Sequence, residues 1–342
     1  MPTTAYLFVH FTGNEESETD EQIYFALSRD GCHWTDTREN GDPVLTSDVG
    51  EHGVRDPFLI RAHDGTGFYL LATDLSIFHR GGWANGIPTI DGSSSIVIWE
   101  SEDLVHWSKP RLADIAPSIP QCGMAWAPEA VWDDERHQYM VYWTTDSAAA
   151  NLQGEIRNVY YVTTKDFVSF SKPVRWIDRK PGCIDTTMLK ADDGWWYRVT
   201  GDGEMTIERT KNPYAPTTAA FARLEAGAGS EEWSYVGTLS QIFGDERFSG
   251  DFLEGPELFR FNDADIVRKN GKALKYGLMC DQYKEGKGYL PFRSADLSQA
   301  DKSCWQQADD VDLGTLKKRH GGILPITEDE YRRIEVCVSS QR

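Results

Sequence analysis

Three stretches of similar sequence decide the fold: SRDGCHW (Ser28–Trp34), SEDLVHW (Ser101–Trp107) and TKDFVSF (Thr164–Phe170). In each, a strand-forming run ends in Ser or Thr, an acidic residue follows two positions later, and an aromatic residue closes the stretch. Looser copies occur at Thr210–Phe221 and Ser294–Trp305, so the five copies begin 73, 63, 46 and 84 residues apart. Such a recurrence is typical of a protein built from repeated structural units.

Strand signals fill the sequence between these copies. Runs rich in Val, Ile, Tyr, Phe and Trp alternate with Gly, Asp and Asn, as in YLFVHF, GFYLLATD and QYMVYWTT. Most copies also follow a pair of strands joined by a turn with Asp and Gly, so each unit has about four strands, as a propeller blade does. We therefore predict an all-β, five-bladed β-propeller. Ordinary hairpins of a sandwich or barrel are the alternative, which the regular spacing disfavours.

The sequence predicts a single domain. No Pro/Ser-rich linker or low-complexity segment interrupts it, and helical periodicity is restricted to short candidates at 217–225 and 327–334. We expect residues 1–342 to form one catalytic domain, with residues 327–342 as a short C-terminal tail. Within that domain, residues 5–35 would supply the outer strands of the first blade.

The net charge of −19 excludes several partner classes. Nucleic acids and anionic membrane surfaces both require clustered Lys and Arg, so neither is an expected partner. A neutral polysaccharide or oligosaccharide fits the charge, and the 12 Trp, 14 Tyr and 15 Phe residues offer rings for sugar stacking as well as for the core. The six Cys residues are scattered without a CxxC pair, which argues against a zinc site and a small disulfide scaffold.

The start of the chain, MPTTAYLFVHF, has neither a basic segment nor a long apolar run. No stretch approaches the roughly 20 apolar residues that span a membrane. The expected location is cytoplasmic, or secreted if the sequence is trimmed.

Three carboxylates stand directly before apolar strands. They are Asp56 in GVRDPFLI, Asp185 in GCIDTTML and Glu254 in FLEGPELF. One such residue is more often a turn or cap residue. Three at equivalent points of three successive inner strands would instead face one another across a funnel, because the inner strand of each blade lines the central channel. This pattern predicts a site with three acidic groups.

The order RDP, ID before an apolar strand, and EGP resembles the clan of five-bladed propellers that contains glycoside hydrolase family 43. WAPE (Trp126–Glu129) is similar to the W-A-P motif in that family's second blade, and RHGGILPIT (Arg319–Thr327) to its closing segment. The three motifs are separated by 129 and 69 residues. The resemblance covers Asp56 to about Thr327.

This resemblance implies roles for the three carboxylates. Asp56 would be the general base, Asp185 the modulator of the pKa of the acid, and Glu254 the general acid. The sequence departs from the family at Thr186, where Pro commonly follows the second Asp. Glu257 is a rival for the acid, although on a regular strand it would share a face with Phe259 rather than with Glu254.

Three carboxylates suit hydrolysis with inversion of the anomeric carbon. A protonated carboxyl donates to the leaving oxygen, while an ionised one roughly 6.5–9.5 Å away activates water on the opposite face of the sugar. A third carboxylate beside the acid raises its pKa and keeps it protonated near neutral pH. No cofactor is needed for this chemistry.

Further candidates surround this set. The resemblance implies that His320 lies near the funnel axis, beside a possible structural calcium ion or water; a core histidine is the alternative. Trp126 and Glu129 of the WAPE motif are expected to bind substrate. For Trp126, packing in the core is the alternative role. Arg55 would orient Asp56 or bind hydroxyls, unless it is a surface residue. The Gly-rich segment 78–91 is a long loop, in which Trp83 would cap the pocket.

The sequence thus predicts an inverting, exo-acting glycosidase, and the resemblance favours release of α-L-arabinofuranose from plant-type glycans. The alternatives within the family are a β-D-xylosidase and an exo-β-galactanase. Many xylosidases of the family carry a C-terminal β-sandwich, and only about 15 residues follow the closing segment here. A non-catalytic sugar-binding propeller is the alternative from another class, and it would be expected to lack one of the three carboxylates.

Overall fold

The computed structural model describes residues 2–38, 40–84, 87–146, 157–179, 182–201, 203–217 and 232–340. Its first three strands pair in order and form the outer part of one sheet: β1 (Thr3–His10), β2 (Tyr24–Ser28) and β3 (Trp34–Asp36). Three sheets of four consecutive antiparallel strands follow. They consist of β4 (Val54–Arg61), β5 (Phe68–Asp74), β6 (Ser95–Ser101) and β7 (Arg111–Asp114); β8 (Trp126–Asp133), β9 (Gln138–Thr145), β10 (Asn158–Thr164) and β11 (Val174–Ile177); and β12 (Ile184–Lys190), β13 (Trp196–Gly201), β14 (Met205–Thr210) and β15 (Ser234–Thr238).

The last complete sheet carries an insertion. It contains β16 (Glu254–Arg260), then a separate hairpin of β17 (Val267–Lys269) and β18 (Lys272–Leu274), then β19 (Tyr276–Asp281), β20 (Tyr289–Ser294) and β21 (Trp305–Gln307). Strand β22 (Gly322–Thr327) returns to the first sheet and pairs with β1, placing Leu324 opposite Leu7. The two ends of the fold are therefore joined in one blade.

Five inner strands surround the axis. Each of β4, β8, β12, β16 and β22 contacts the inner strands on both sides of it, which closes the ring. The prediction of five four-stranded blades is confirmed, and residues 5–35 do supply outer strands, in the blade completed by β22. We name each blade after its inner strand.

The repeated motif forms the turn between the third and fourth strands of a blade. In the β4 blade, the Ser101 hydroxyl accepts hydrogen bonds from the backbone N–H groups of Asp103 and Leu104 at 3.2 and 2.9 Å. The Asp103 carboxylate then accepts from the N–H groups of Val105 and His106 at 2.9 and 2.8 Å. Ser and Asp side chains are well suited to such turns because they satisfy nearby backbone donors. The same contacts recur at Ser28 and at Thr164.

The hydrophobic core is divided among the blades. Five large clusters of buried apolar side chains each lie between two adjacent blades. For example, Leu7 and Ile326 of the β22 blade belong to one cluster with Leu59 and Leu70 of the β4 blade. Packing between neighbours holds every inner strand in place, so the positions of residues at the funnel mouth are fixed by the core.

Short helices are few in the described part of the chain: α1 (Ile77–Arg80), α2 (Pro88–Asp91), α3 (Leu239–Phe243) and α4 (Glu328–Ser340). The segment expected to be a C-terminal tail is helix α4, which buries Ile334 in the cluster between two blades and pairs Glu330 with Arg61. Apart from Thr217, the other helical candidate, 217–225, lies outside the described residues, as does Phe221 of the fourth repeat. Over the described ranges, no helix is both long and apolar enough to cross a membrane.

Candidate active site

Four inner strands begin with a β-bulge at one end of the funnel. The register of β4, β8, β12 and β16 against the next strand shifts near the start of each strand. A residue within each shift has a positive φ: 49° at Asp56, 50° at Ala127, 51° at Asp185 and 53° at Gly255. This backbone conformation is unfavourable for residues with a side chain and tends to persist where it directs a functional group. The bulges therefore put Asp56 and Asp185 at matching positions of two blades.

Glu254 differs from the two aspartates in its position. It precedes the bulge residue Gly255, whereas Asp56 and Asp185 are themselves the bulge residues. The β8 strand also stands between the β4 and β12 strands, with Ala127 at its bulge. The expectation of equivalent points on three successive inner strands is thus wrong in both respects. The bulges, which the sequence does not reveal, displace Glu254 by one position, and β8 separates β4 from β12.

A cavity of about 530 Å³ opens at this end of the funnel. Asp56, Asp185 and Glu254 all line it, so the structure brings the three predicted carboxylates into one site. The predicted binding residues Arg55, Trp83 and Trp126 line it as well. The other lining residues are Glu15, Leu75, Ile87, Pro88, Thr89, Arg157, Ile184, Tyr283 and Arg319.

Asp56 is held in its ionised form. The Thr73 hydroxyl donates to its Oδ2 at 2.8 Å, and Nδ1 of His320 lies 3.6 Å from its Oδ1. Burial by itself would raise the pKa of Asp56, but His320, the neighbouring Arg55 and Thr73 outweigh burial and hold that pKa below its usual value. An ionised carboxylate here is available to accept a proton.

His320 occupies the space between two carboxylates, beneath the cavity wall. Its Nδ1 is 3.6 Å from Asp56 and 3.7 Å from Asp185, and its side chain is 7% exposed. Burial would lower the pKa of this ring, but Asp185 and Asp56 overcome that effect and raise the pKa to about 10. The ring is therefore an imidazolium at neutral pH, and its charge favours the ionised form of both aspartates.

Glu254 is in the opposite state to Asp56. Burial raises its pKa most, followed by the carboxylates of Asp185 and Asp281, and together they raise the pKa of Glu254 to about 8. Arg319 opposes this rise, since its guanidinium donates to Oε1 of Glu254 at 2.9 Å and to Asp281 at 2.7 Å. The net result is a carboxyl group that is mostly protonated at neutral pH and able to donate.

Asp185 links these groups. Its Oδ2 accepts a hydrogen bond of 2.9 Å from the backbone N–H of Gly255, the residue after Glu254. Among the charged neighbours that raise the pKa of Glu254, Asp185 has a larger effect than Asp56. Asp185 therefore lies close enough to Glu254 to raise the pKa of its carboxyl group.

A second pair of carboxylates lies below the cavity. Glu129 and Glu257 are 3% and 2% exposed, and neither lines the cavity. Tyr142 donates to Glu129 at 2.8 Å, and the Ile323 N–H donates to Glu257 at 2.6 Å. Burial raises the pKa of Glu129 to about 8 and that of Glu257 well above its usual value. The structure places Glu129 beneath the cavity rather than in its wall, where Trp126 of the same motif lies.

One wall of the cavity is tied to the loop between β1 and β2, which contains Glu15 and Glu21. Arg55 donates to Glu15 and Glu21, both at 2.8 Å, and is 6% exposed rather than a surface residue. The indole N–H of Trp83 also donates to Glu15 at 2.8 Å, and its ring stands edge-to-face with Trp126 at 6.3 Å. Trp83 is 48% exposed, so part of its ring is open to a ligand.

Sequence reasoning missed three cationic or aromatic residues of the site: Arg157, Tyr283 and Arg319. Arg319 directly precedes His320 in the closing segment, and that position could have indicated it. Arg157 and Tyr283 stand outside any motif, so nothing in the sequence pointed to them.

The predicted metal role of His320 has no support in the geometry. Across the described ranges, no group of three or more His, Cys, Asp or Glu side chains is arranged to hold a metal ion. The His320 ring instead lies between two carboxylates, with its Nδ1 3.6 Å from Asp56 and 3.7 Å from Asp185.

Comparison with known proteins gives an independent view of the chain. A family model described as a probable glycosyl hydrolase domain, related to glycoside hydrolase family 43, matches residues 1–332. An α-L-arabinofuranosidase of Bifidobacterium longum is 32% identical over 292 residues, which is 77% of this chain. The match covers 26% of that protein, so the chain spans about a quarter of its length.

Solved structures support the fold. An α-L-arabinofuranosidase from Fusarium graminearum matches with a TM-score of 0.53 and 12% identity, over 88% of this chain and 75% of its own. An α-L-arabinanase from Penicillium chrysogenum matches with a TM-score of 0.52 and 11% identity, over 91% and 78%. At this level of identity the similarity concerns architecture alone.

Proposed function

The chain belongs to the family of probable glycosyl hydrolase domains related to glycoside hydrolase family 43, and from this premise we propose that it is an inverting, exo-acting glycosidase. One observation carries the proposal. Asp56 and Glu254 line the same cavity, and their surroundings move their pKa values in opposite directions. Titratable groups whose pKa values are pushed apart in this way are suited to act as base and acid.

The chemistry follows from these two states. With a sugar in the cavity, Glu254 gives its proton to the glycosidic oxygen as the bond to the anomeric carbon breaks. Asp56 removes a proton from a water molecule that attacks the anomeric carbon from the opposite face. After release, Glu254 is ionised and Asp56 protonated, so one proton has to return to Glu254 before the next cycle.

The neighbouring groups would keep both states in place. Asp185 raises the pKa of Glu254 by like-charge repulsion, and the imidazolium of His320 compensates the charge of Asp185 and Asp56. Arg319 would position the Glu254 side chain through its 2.9 Å hydrogen bond. In this proposal the positive charge beside the base, Asp56, is that of the His320 side chain.

The proposed substrate is a terminal α-L-arabinofuranosyl residue of an oligosaccharide or polysaccharide. Support comes from the relative in Bifidobacterium longum, and from a cavity walled by Trp83, Trp126 and the Arg55–Glu15 pair, which favours a chain end over the middle of a chain. A β-D-xylosidase and an exo-β-galactanase remain alternatives with the same fold. A non-catalytic sugar-binding propeller is less well supported, because all three carboxylates are present and line the cavity.

A panel of 4-nitrophenyl glycosides tests the substrate. We expect hydrolysis of the α-L-arabinofuranoside with a kcat/KM about tenfold or more above those of the β-D-xyloside and β-D-galactoside, since one misplaced hydroxyl in a polar site is costly. A preference for xyloside or galactoside would reassign the sugar. Sugar binding without turnover of any of the three, measured by calorimetry, would favour the non-catalytic alternative.

The pH dependence tests the acid and its modulator. Activity requires Asp56 ionised and Glu254 protonated, so kcat/KM on a substrate with a sugar leaving group should fall as pH rises through about 8, the pKa of Glu254. Because the pKa of Asp56 lies below its usual value, the loss at low pH should occur only in the acid range. Asp185→Asn removes the charge that raises the pKa of Glu254 and should move the basic limb to lower pH.

Asp263→Asn is a suitable control for that change. Asp263 is an exposed carboxylate, 84% accessible, paired with Arg260 far from the cavity walls. Its removal should leave the basic limb where it is. An unchanged limb in Asp185→Asn, or a shift to higher pH, would contradict the modulating role of Asp185.

A further inference from the structure

Glu254 has to keep its proton although it is hydrogen-bonded to a guanidinium group. Arg319 donates to its Oε1 at 2.9 Å. A cation at this distance ordinarily favours the ionised form of a carboxyl group and lowers its pKa. Some other part of the structure therefore has to offset the charge of Arg319.

Asp281 is placed to do so. It is the last residue of β19 and lies directly opposite Glu254 in the register of β16 and β19. Its carboxylate is fully buried, and its Oδ2 accepts from Nε of Arg319 at 2.7 Å. Burial raises the pKa of Asp281, while the guanidinium opposes that rise and favours the ionised form. Among the described residues no donor reaches its Oδ1, so this carboxylate depends on Arg319.

The side chain of Arg319 is held in one orientation. Its backbone N–H donates to the carbonyl oxygen of Phe11 at 3.0 Å, and its guanidinium lies 5.4 Å from the centroid of the Phe11 ring. A Cβ at Gly13 would come within 2.8 Å of Cδ of Arg319, so the absence of a side chain at Gly13 leaves room for the arginine. With Nε bonded to Asp281, the plane of the guanidinium is fixed and Nη2 meets Glu254.

The two members of this ion pair act on Glu254 in opposite directions. After burial and Asp185, Asp281 makes the next largest contribution to the raised pKa of Glu254, and it exceeds the opposing effect of Arg319. The pair therefore supplies a hydrogen-bond donor without favouring loss of the proton. The other titratable or charged groups that face Glu254 are Asp56, Arg157 and Tyr283.

We propose that Asp281 is a positioning residue for the acid: it orients Arg319 toward Oε1 of Glu254 and balances the guanidinium charge, so that the hydrogen bond holds the side chain without removing its proton. The proposal rests on the proposed function, since it takes Glu254 as the acid. A guanidinium can only donate, so Oε1 is the acceptor and the proton is held on Oε2. Oε2 is then the atom that protonates the glycosidic oxygen.

Asp281→Asn tests the charge balance. The amide keeps an oxygen for Nε of Arg319 but leaves the guanidinium charge uncompensated. The pH profile of kcat/KM on an α-L-arabinofuranosyl oligosaccharide should therefore have its basic limb lower by on the order of one pH unit, with the maximal value kept within about threefold. Glu330→Gln is the matched control, because it removes a mostly buried carboxylate from another arginine, Arg61, outside the cavity. Its basic limb should stay in place.

A double variant separates charge from packing. Adding Arg319→Met to Asp281→Asn removes the second charge, so the basic limb should return to its wild-type position. The limiting kcat should nevertheless stay about tenfold or more below wild type, because nothing then holds the Glu254 side chain. Damage to packing alone would lower kcat without this return of the limb.

Two kinetic results would overturn the proposal: an unmoved basic limb in Asp281→Asn, or a limb that remains low in the double variant. If Asp281→Asn does not fold, the double variant, which has no net change in charge, is compared with wild type, and a displaced limb there contradicts the balance. Should no glycoside be hydrolysed, the proposed function fails, and NMR titration of the Glu254 carboxyl group decides the proposal separately. Its pKa should be lower in Asp281→Asn than in wild type and should recover in the double variant; equal pKa values in all three would reject the role of Asp281.

Discussion

Replacing Glu254 with Gln is expected to lower kcat/KM by about 100- to 10,000-fold on substrates whose leaving group is a sugar. The amide has the size of the carboxyl group and can still accept from Arg319, but it has no proton to give to the glycosidic oxygen. A 4-nitrophenyl leaving group departs as a stable anion and needs little protonation. The loss on the aryl glycoside should therefore be much smaller, and steady-state kinetics on both substrates measures the difference.

Glu257→Gln is the matched control for that change. Glu257 lies on the same strand, is buried below the cavity, and has a pKa raised well above its usual value, so an amide imitates its neutral form. This variant should retain most of the activity, with thermal unfolding used to confirm that it folds. A larger loss in Glu257→Gln than in Glu254→Gln, or an equal loss on sugar and aryl leaving groups, would remove the acid role from Glu254.

The fold could be predicted because its repeated signal is local. A Ser or Thr and an Asp two residues later satisfy backbone donors within a single turn, as at Ser101 and Asp103, and this needs no partner from elsewhere in the chain. The same turn at the end of the third strand marks successive blades. Aromatic and β-branched runs that alternate with turn residues then indicated about four strands for each blade.

The candidate site could be predicted only in part. The three carboxylates stand before apolar strands and within motifs, which made them visible. Their relative positions depend on bulges with positive φ at Asp56, Asp185 and Gly255, and no pattern of residues predicted those bulges. Tyr283 and Arg157 reach the cavity from positions just after β19 and just before β10, and such placement outside the strands has no periodic signature in the sequence.

Glu129 illustrates the same difficulty at a single residue. It follows Trp126 within one motif, and on a regular strand a three-residue separation would put the two side chains on opposite faces. The bulge at Ala127 changes that relation, leaving Trp126 in the cavity wall and Glu129 in the funnel beneath it. A motif thus identified the right strand without giving the depth of each side chain.

Replacing Asp56 with Asn should reduce activity on every substrate, whatever its leaving group, by about 100- to 10,000-fold. Water has to be activated even when the leaving group departs easily. The loss of activity should therefore be as large on an aryl glycoside as on a substrate with a sugar leaving group, in contrast to Glu254→Gln. The amide can still accept from Thr73, which preserves the local packing. A variant that loses activity only on sugar leaving groups would show that Asp56 does not act on the water.

The stereochemistry of the product tests Asp56 and Glu254 together. The two groups belong to inner strands of different blades and line one cavity of about 530 Å³, a volume that leaves room for a water molecule beside the sugar. With Asp56 as base, that water attacks opposite the leaving group, and the first sugar released should have the inverted anomeric configuration. Proton NMR during the first minutes of hydrolysis, before the anomers equilibrate, identifies which one forms. If the configuration is retained, Asp56 attacks the anomeric carbon itself, the water enters only in a second step, and the base role assigned from its lowered pKa has to be replaced by that of a nucleophile.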